Sequence, residues 1–268
     1  MLHVSRLWVY PVKSLGGVSV DEVAITRAGS FALDREWLVT DPDGHMVWQG
    51  ELPRMALLSV ALCDASLPGG GALRIAGPNG DGVSVPLDHD GAPVVATQYG
   101  QVFASTDAGP DAAAFLSDAL ERPVRLVRVG AAAHGWTGHN PVHAFTDASL
   151  NALNARLLAD GTGPMAIRRF RPNVLLGGAD VPFAEEVWPR IDFGSAALVR
   201  REPSTRCVLP CIDPDTAAVQ REPMRMVARM SRERTTAKKG SFGIYAHAQG
   251  ARLAVGMKAW TRDTVGTG

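Results

Sequence analysis

Three features of the sequence predict a mainly β, or α+β, fold with at least one barrel or sandwich. Short segments alternate apolar and polar residues, the period of a half-buried strand. The 28 glycines and 18 prolines cut much of the chain into pieces too short for long helices. Helical patterns are few, and strands and helices do not alternate regularly.

The elements follow in order. LHVSRLWVYPV (2–12) and VSVDEVAIT (18–26) read as strands. DREWLVTDPDGHMVWQG (34–50) reads as strand, turn, strand. Its turn is Asp41-Pro42-Asp43-Gly44, in which proline presets φ and glycine takes the left-handed position. LRIAGPNGDGVSVPL (73–87) repeats that scheme around Pro78-Asn79-Gly80, and VVATQYGQVFAS (94–105) is a further strand pair. GPDAAAFLSDALER (109–122) reads as a helix with Pro110 just inside its start, where no N–H is missed. TDASLNALNARLLADG (146–161) is the clearest helix. Thr146 or Asp147 caps it, Leu150, Leu153 and Leu157 form its apolar stripe, and Gly161 ends it. NVLLGG (173–178), AALVRREP (196–203) and RCVLPCI (206–212) read as strands, followed by an Arg/Met-rich segment over 223–234. ARLAVGMKAW (251–260) is expected to be the last strand, and TRDTVGTG (261–268) a frayed end.

A chain of 268 residues suits one large domain or two small ones. A boundary is expected after the first helix, near 122–130, dividing 1–125 from 126–268. Lys+Arg and Asp+Glu both number 27, and this zero net charge speaks against a nucleic-acid partner. Basic residues still gather locally, at Arg168, Arg169 and Arg171, at Arg200, Arg201 and Arg206, and from Arg221 to Arg234. A small anionic ligand needs no more than such a cluster. The start lacks a basic stretch followed by a long apolar core, so no signal peptide is expected. The run MALLSVALC (55–63) is about half the ~20 residues of a membrane span. Three cysteines are too few for a disulfide scaffold, and a reducing, cytoplasmic setting without membrane attachment is expected.

Chemistry concentrates in STRCVLPCIDPDTA (204–217). Cys207 follows Arg206, with Arg200 and Arg201 upstream. Positive charge nearby favours the thiolate, the form that attacks electrophiles and binds soft metals. Taken alone, the residue also fits a buried hydrophobic filler, the usual role of a free cysteine. Zinc is disfavoured by the C-x3-C spacing and the lack of a second cluster. A Cys207–Cys211 disulfide has only its spacing in support. Cys63, inside an apolar run, is expected in the core. His134, His139 and His143 in HGWTGHNPVH are spaced irregularly on a Gly/Pro-rich stretch. That stretch reads as a substrate-access loop, with Trp136 as a wall or a packing residue.

TRCVLPCIDPDTA, preceded by FRPNVLLGGADVPFAEEVW (170–188), resembles the MOSC domain of molybdenum enzymes. The resemblance points to the group of the mitochondrial amidoxime-reducing component and its bacterial counterparts. Phe170-Arg171-Pro172-Asn173, Arg206-Cys207 and Asp213-Pro214-Asp215-Thr216 stand in the family's order. YPVKSLGG (10–17), LDREWLV (33–39) and SFGIYAHA (241–248) resemble its N-terminal region and its last cofactor-facing strand.

The resemblance implies a MOSC-type β-barrel core with an N-terminal β-rich MOSC-associated domain, whose first strands, about 1–40, reach the cofactor site. It implies a molybdenum–molybdopterin cofactor (Moco) with Cys207 as the protein ligand to the metal. The implied cofactor contacts are Lys13, Ser14, Arg35, Arg171, Asn173 and Tyr245, with His139 and Asn140 where the family has a threonine-serine pair. Arginine suits phosphate through its planar fork of donors, and lysine serves as a point charge. Asp213 is a candidate polar catalytic group and equally a turn former. Ala217 stands where the family has glycine; a left-handed residue there is strained by Ala.

The implied activity is reduction of N-hydroxylated compounds (amidoximes, hydroxylamines, N-hydroxylated bases) by oxygen-atom removal at molybdenum. The alternatives are a sulfur carrier using a Cys207 persulfide, or a non-catalytic molybdopterin-binding protein. Three cysteines fall short of the four thiolates of a ferredoxin-type cluster. Electrons are therefore expected from a separate ferredoxin, flavodoxin or cytochrome through a small polar interface.

Overall fold

The structure, a computed structural model, describes residues 1–63, 71–136 and 141–261. Its largest element is an eight-stranded sheet. In order across the sheet the strands are Trp260–Thr261, Arg190–Asp192, Ala196–Thr205, Ser241–Gly250, Val142–Thr146, Val174–Gly177, His3–Val9 and Val18–Val20. The first strand thus pairs with residues far along the chain, Leu7 facing Val174 in antiparallel register. Val142–Thr146 and Val174–Gly177 run parallel. Parallel neighbours need a crossover connection, and helix α2 (Asp147–Ala159) lies within it. Period-two alternation sends Leu7 and Val9, Val142 and Ala144, Val174 and Leu176, and Ile244 and Ala246 into one core, and a register shift between Val4 and Arg6 turns Val4 to the same side.

A four-stranded sheet (Trp37–Thr40, Arg125–Arg128, Gln101–Asp107, Pro93–Gln98) and a three-stranded meander (Ser59–Cys63, Ala72–Ala76, Gly82–Pro86) occupy the N-terminal half. Helix α1 (Pro110–Leu120) closes their core, packing Leu116 and Leu120 with Trp37, Met55, Leu73, Ile75 and Leu126. Pro110 sits at its first turn. Thr146 caps α2, its hydroxyl accepting from Ser149 N at 3.2 Å; Leu153 and Leu157 are buried and Leu150 partly so. The Arg/Met-rich segment forms α3 (Met224–Arg232), which buries Met226, Val227 and Met230. The fold is mainly β with three α-helices among the described residues, as the sequence predicts. None of those helices is long and apolar enough to cross a membrane.

Several local expectations are corrected. RCVLPCI is not a strand: Ala196–Thr205 ends before it, and Leu209–Cys211 forms a 3-10 turn. Pro210 has no N–H to give a ladder, and a continuous apolar run carries no period to reveal this. ARLAVGMKAW contributes only Arg252–Ala254 and the start of Trp260–Thr261, with Gly256 at φ 82° between them. VSVDEVAIT splits at Asp21 into Val18–Val20 and Glu22–Ala24, which join different sheets. The second half of 34–50 makes bridges, such as Thr40 with Met46, rather than a strand. Cys63 is exposed, because Val60 and Leu62 take the inward face of its strand. The expected frayed end beyond Thr261 lies outside the described residues.

Candidate functional site

Two loops from the N-terminal quarter meet the edge of the large sheet. Arg35 N donates to Tyr10 O at 2.7 Å, and Lys13 N to Trp37 O at 2.9 Å. Asp34 fastens both loops to the sheet. Its Oδ1 accepts from Tyr10 N at 2.7 Å and from Asn173 Nδ2 at 3.0 Å, while its backbone carbonyl accepts from His134 Nε2 at 2.7 Å. Asn173 is fully committed: Nδ2 also donates to Trp8 O at 3.2 Å, and Oδ1 accepts from His143 N at 3.1 Å and Arg35 Nη1 at 3.3 Å. Its side chain is buried, so it holds Arg35 in place and has no free polar group for a ligand.

Around this hub the cations gather. Two guanidiniums approach the Tyr10 ring, Arg35 at 5.1 Å and Arg171 at 4.3 Å from its centroid, and its hydroxyl donates to Pro172 O at 3.0 Å. Arg35 pairs with Asp34, and Arg171 donates to Leu15 O. Arg206 donates to Phe170 O at 2.7 Å, to Ser204 Oγ at 2.8 Å and toward Tyr245 Oη at 3.4 Å. Its buried Nε has no hydrogen-bond partner among the described residues. Burial, reinforced by Arg35 and Arg171, lowers the Lys13 ammonium to about 7, with Cys207 acting in the other direction. Burial likewise brings Arg171 down to about 10. A cation held this far below its ordinary value is poised for a compensating anion.

Ser14, Arg35 and Arg171 all have left-handed backbones, with φ of 71°, 59° and 53°. Such strain, of order 1–3 kcal/mol each, persists only where surrounding structure imposes it, and it clusters at binding sites.

Cys207 is exposed in the loop after Ala196–Thr205, which corrects the filler reading. It lies within electrostatic reach of Lys13 and Tyr99. The structure therefore assembles Lys13, Arg35, Arg171, Tyr245 and Cys207 in one region, with Asn173 as their support. Ser14 is buried in the same loop as Lys13. It lines a cavity of ≈ 470 Å³ with Tyr10, Gln49, Leu58, Arg171 and Pro214. Cys207, Lys13 and Tyr245 do not line that cavity; the thiol stands on more open surface. His139 and Asn140 lie outside the described residues.

Asp213 takes the turn-forming role. Oδ1 accepts from Asp215 N at 2.9 Å and Thr216 N at 3.1 Å, and Oδ2 pairs with Arg169 at 2.5 Å. These amide bonds first, and Arg169 after them, hold its carboxyl below the usual range. With both oxygens occupied, the catalytic role expected for Asp213 is not carried further. Ala217 keeps the left-handed geometry of the glycine it replaces, at φ 58°. His134 and His143 are buried core residues, His143 in a strand with its ring 5.8 Å from Tyr245, so they do not form an access loop. Trp136 packs edge-on against Phe103 at 6.1 Å. Among the described residues no cluster of His, Cys, Asp and Glu could by itself hold a metal ion.

Three residues go unnoticed in the sequence. Tyr10 and Asp34 lie inside motifs whose basic members draw attention. Tyr99 occupies the hairpin turn between Pro93–Gln98 and Gln101–Asp107, at φ 49°, where Asn or Gly is usual. It is 67% exposed, with Lys13 Nζ 4.7 Å from its ring centroid. A bulky residue in that strained turn was the available signal.

Comparison with known proteins accords with this arrangement. Residues 1–123 match the MOSC N-terminal beta barrel domain, and residues 117–258 match the MOSC domain. Mitochondrial amidoxime reducing component 2 of Homo sapiens is 30% identical over 243 residues, covering 82% of this chain and 69% of that protein. Mitochondrial amidoxime-reducing component 1 of Homo sapiens is also 30% identical over 243 residues, covering 82% and 68%. Among solved structures, the YUAD protein from Bacillus subtilis aligns over 95% of this chain and 92% of its own, at 10% identity and a TM-score of 0.40, too loose a likeness to add weight. On the MOSC match and the relatives at 30% identity, the chain belongs to the MOSC-domain family.

Proposed function

We propose that this chain is a molybdenum-cofactor-dependent oxidoreductase that reduces N-hydroxylated compounds such as amidoximes, hydroxylamines and N-hydroxylated bases. The observation that carries the reading is one juxtaposition. An exposed thiol, Cys207, stands beside a half-buried cation cluster of Lys13, Arg35, Arg171 and Arg206, in which Asp34 is the acidic member. The names of the relatives, amidoxime-reducing components, support the substrate class.

The residues present fit a phosphate-bearing pterin that carries its own metal. Arg206 Nε is a buried donor without a partner among the described residues, and the cluster has a cationic surplus. A thiolate from Cys207 would complete the sulfur set of a soft metal centre. Lys13, Arg35 and Arg171 would hold the anionic arm, the arginines by paired donors and the lysine as a point charge. When bound, the cofactor supplies two electrons that, with two protons, convert N–OH to N–H and release water. The protein's own contribution is placement. The strained loops fix the cations before a ligand arrives, and Asn173 and Asp34 keep them there. The exposed ring of Tyr99 offers a flat apolar wall for a planar amidoxime or base.

A second reading uses the same exposed thiol as a persulfide carrier, which cyanide-labile sulfur on Cys207 would reveal. A third, cofactor binding without catalysis, would show bound pterin and no turnover.

The test is reduction of benzamidoxime by purified protein supplied with reduced viologen. The reading expects turnover in wild type and none in Cys207→Ala. Molybdopterin-containing protein that fails to turn over, or protein that never acquires molybdopterin, contradicts it.

A further inference from the structure

Helix α3 has two opposed faces. Met226, Val227 and Met230 enter the core shared by Leu153, Phe170 and Phe242. Arg221, Arg225, Arg229 and Arg232 are exposed. Within α3 the spacings of four and three residues align Arg225, Arg229 and Arg232 along one face. Arg221 precedes the helix, and Arg225 N donates to its carbonyl at 3.2 Å, which holds Arg221 at the start of the row.

From 221 to 239 the chain carries five arginines and two lysines against Glu222 and Glu233, in a protein of zero net charge. Part of that charge is answered locally: Arg225 pairs with Glu222 and Asp160, Arg234 with Glu186 and Lys238 with Glu202. Arg221, Arg232 and Lys239 form no ion pair among the described residues.

The row begins at the cysteine loop. Cys211 Sγ lies 3.5 Å from Arg221 O, and Gln220 N donates to Cys211 O at 2.9 Å. Cys207 is four residues before Cys211, so their Cα atoms lie within about 14 Å.

We propose that the Arg221–Arg225–Arg229–Arg232 row is the docking surface for an acidic electron-carrier protein that delivers electrons to the site at Cys207. The inference rests on the reductase reading above. Each N–OH reduced consumes two electrons, from two oxidations of a one-electron carrier, and two protons from water; the oxygen leaves as water. Repeated delivery requires fast, reversible docking. Segregated charge provides it by steering encounter, with on-rates raised about 10- to 1,000-fold at low salt. An anionic membrane is a poorer partner, because the apolar face that an interfacial helix would insert is already in the core. Nucleic acid is also poorer, because the chain as a whole has zero net charge.

The probe is an acidic [2Fe–2S] ferredoxin titrated into wild type and an Arg221→Glu/Arg229→Glu/Arg232→Glu variant, by calorimetry at 50 and 200 mM salt. These positions are exposed, so viologen-driven benzamidoxime reduction and the melting temperature should stay unchanged. The proposal expects ferredoxin binding to weaken at least ~10-fold in the variant, to fall with salt in wild type, and to persist in an Arg6→Glu/Arg27→Glu control. Binding unaffected by the triple reversal, equally lost in the control or undetectable in wild type overturns it. So does tighter binding of duplex DNA or phosphatidylserine vesicles than of ferredoxin. Wild type inactive with viologen sinks the reductase reading itself; activity with viologen but no effect of the row sinks only the docking surface.

Discussion

Asn173 Nδ2 donates to Asp34 Oδ1 at 3.0 Å, with both side chains fully buried. This bond joins an N-terminal loop to the large sheet and fixes the backbone on which Arg35 is presented. Truncation at either end leaves buried donors or acceptors unpaired, at about 1–3 kcal/mol for each group. Asn173→Ala should therefore lower the unfolding free energy by about 2–3 kcal/mol in urea titration and also reduce pterin retention. Stability unchanged within error would show that the hub is dispensable.

Thiol accessibility should separate the three cysteines. Cys63 and Cys207 are exposed; Cys211 is buried, and burial pushes its thiol up. A thiol reagent should label two sites on the cofactor-free chain and one on the loaded chain. Cys211 should react only on unfolding. Mass spectrometry of the labelled peptides reads this directly.

Tyr99 accepts backbone strain to hold a ring near the thiol. Replacement by Asn, which tolerates the left-handed region, trades that strain against the Lys13 contact. Stability should change by less than about 1 kcal/mol. The KM for benzamidoxime should rise several-fold while kcat changes little. An unchanged KM would remove Tyr99 from substrate binding.

Glu185 gives a pH dependence away from the site. Burial raises its carboxyl from 4.5 to about 7, against the pull of hydrogen bonds from Ser149 Oγ at 2.8 Å and Thr146 Oγ1 at 3.0 Å. Between those values the folded protein keeps a proton that the unfolded chain has lost. Its contribution to stability is therefore full below pH 4.5 and is lost as pH rises through 7. Urea midpoints at pH 5 and pH 8 should differ less in Glu185→Gln than in wild type.

Regular elements were legible because their periods are local. The caps and stripe of α2 and the Pro78-Asn79-Gly80 hairpin follow from neighbouring residues. The Cys207 loop was misread because an apolar run has no period and Pro210 decides its shape. Tyr10 and Asp34 escaped notice because their roles arise from partners far along the chain, Pro172 and Asn173, which no local spacing encodes. The cationic members of the site were visible through motif order alone. Asp213 matched the motif too, yet its neighbours' amide groups claim its carboxylate.

The most direct test of the central claim is molybdenum and pterin content per chain, measured in wild type, Cys207→Ala and Arg171→Ala. The account predicts both components in wild type, loss of molybdenum from Cys207→Ala, and loss of pterin from Arg171→Ala. Undiminished molybdenum and pterin in both variants would contradict it.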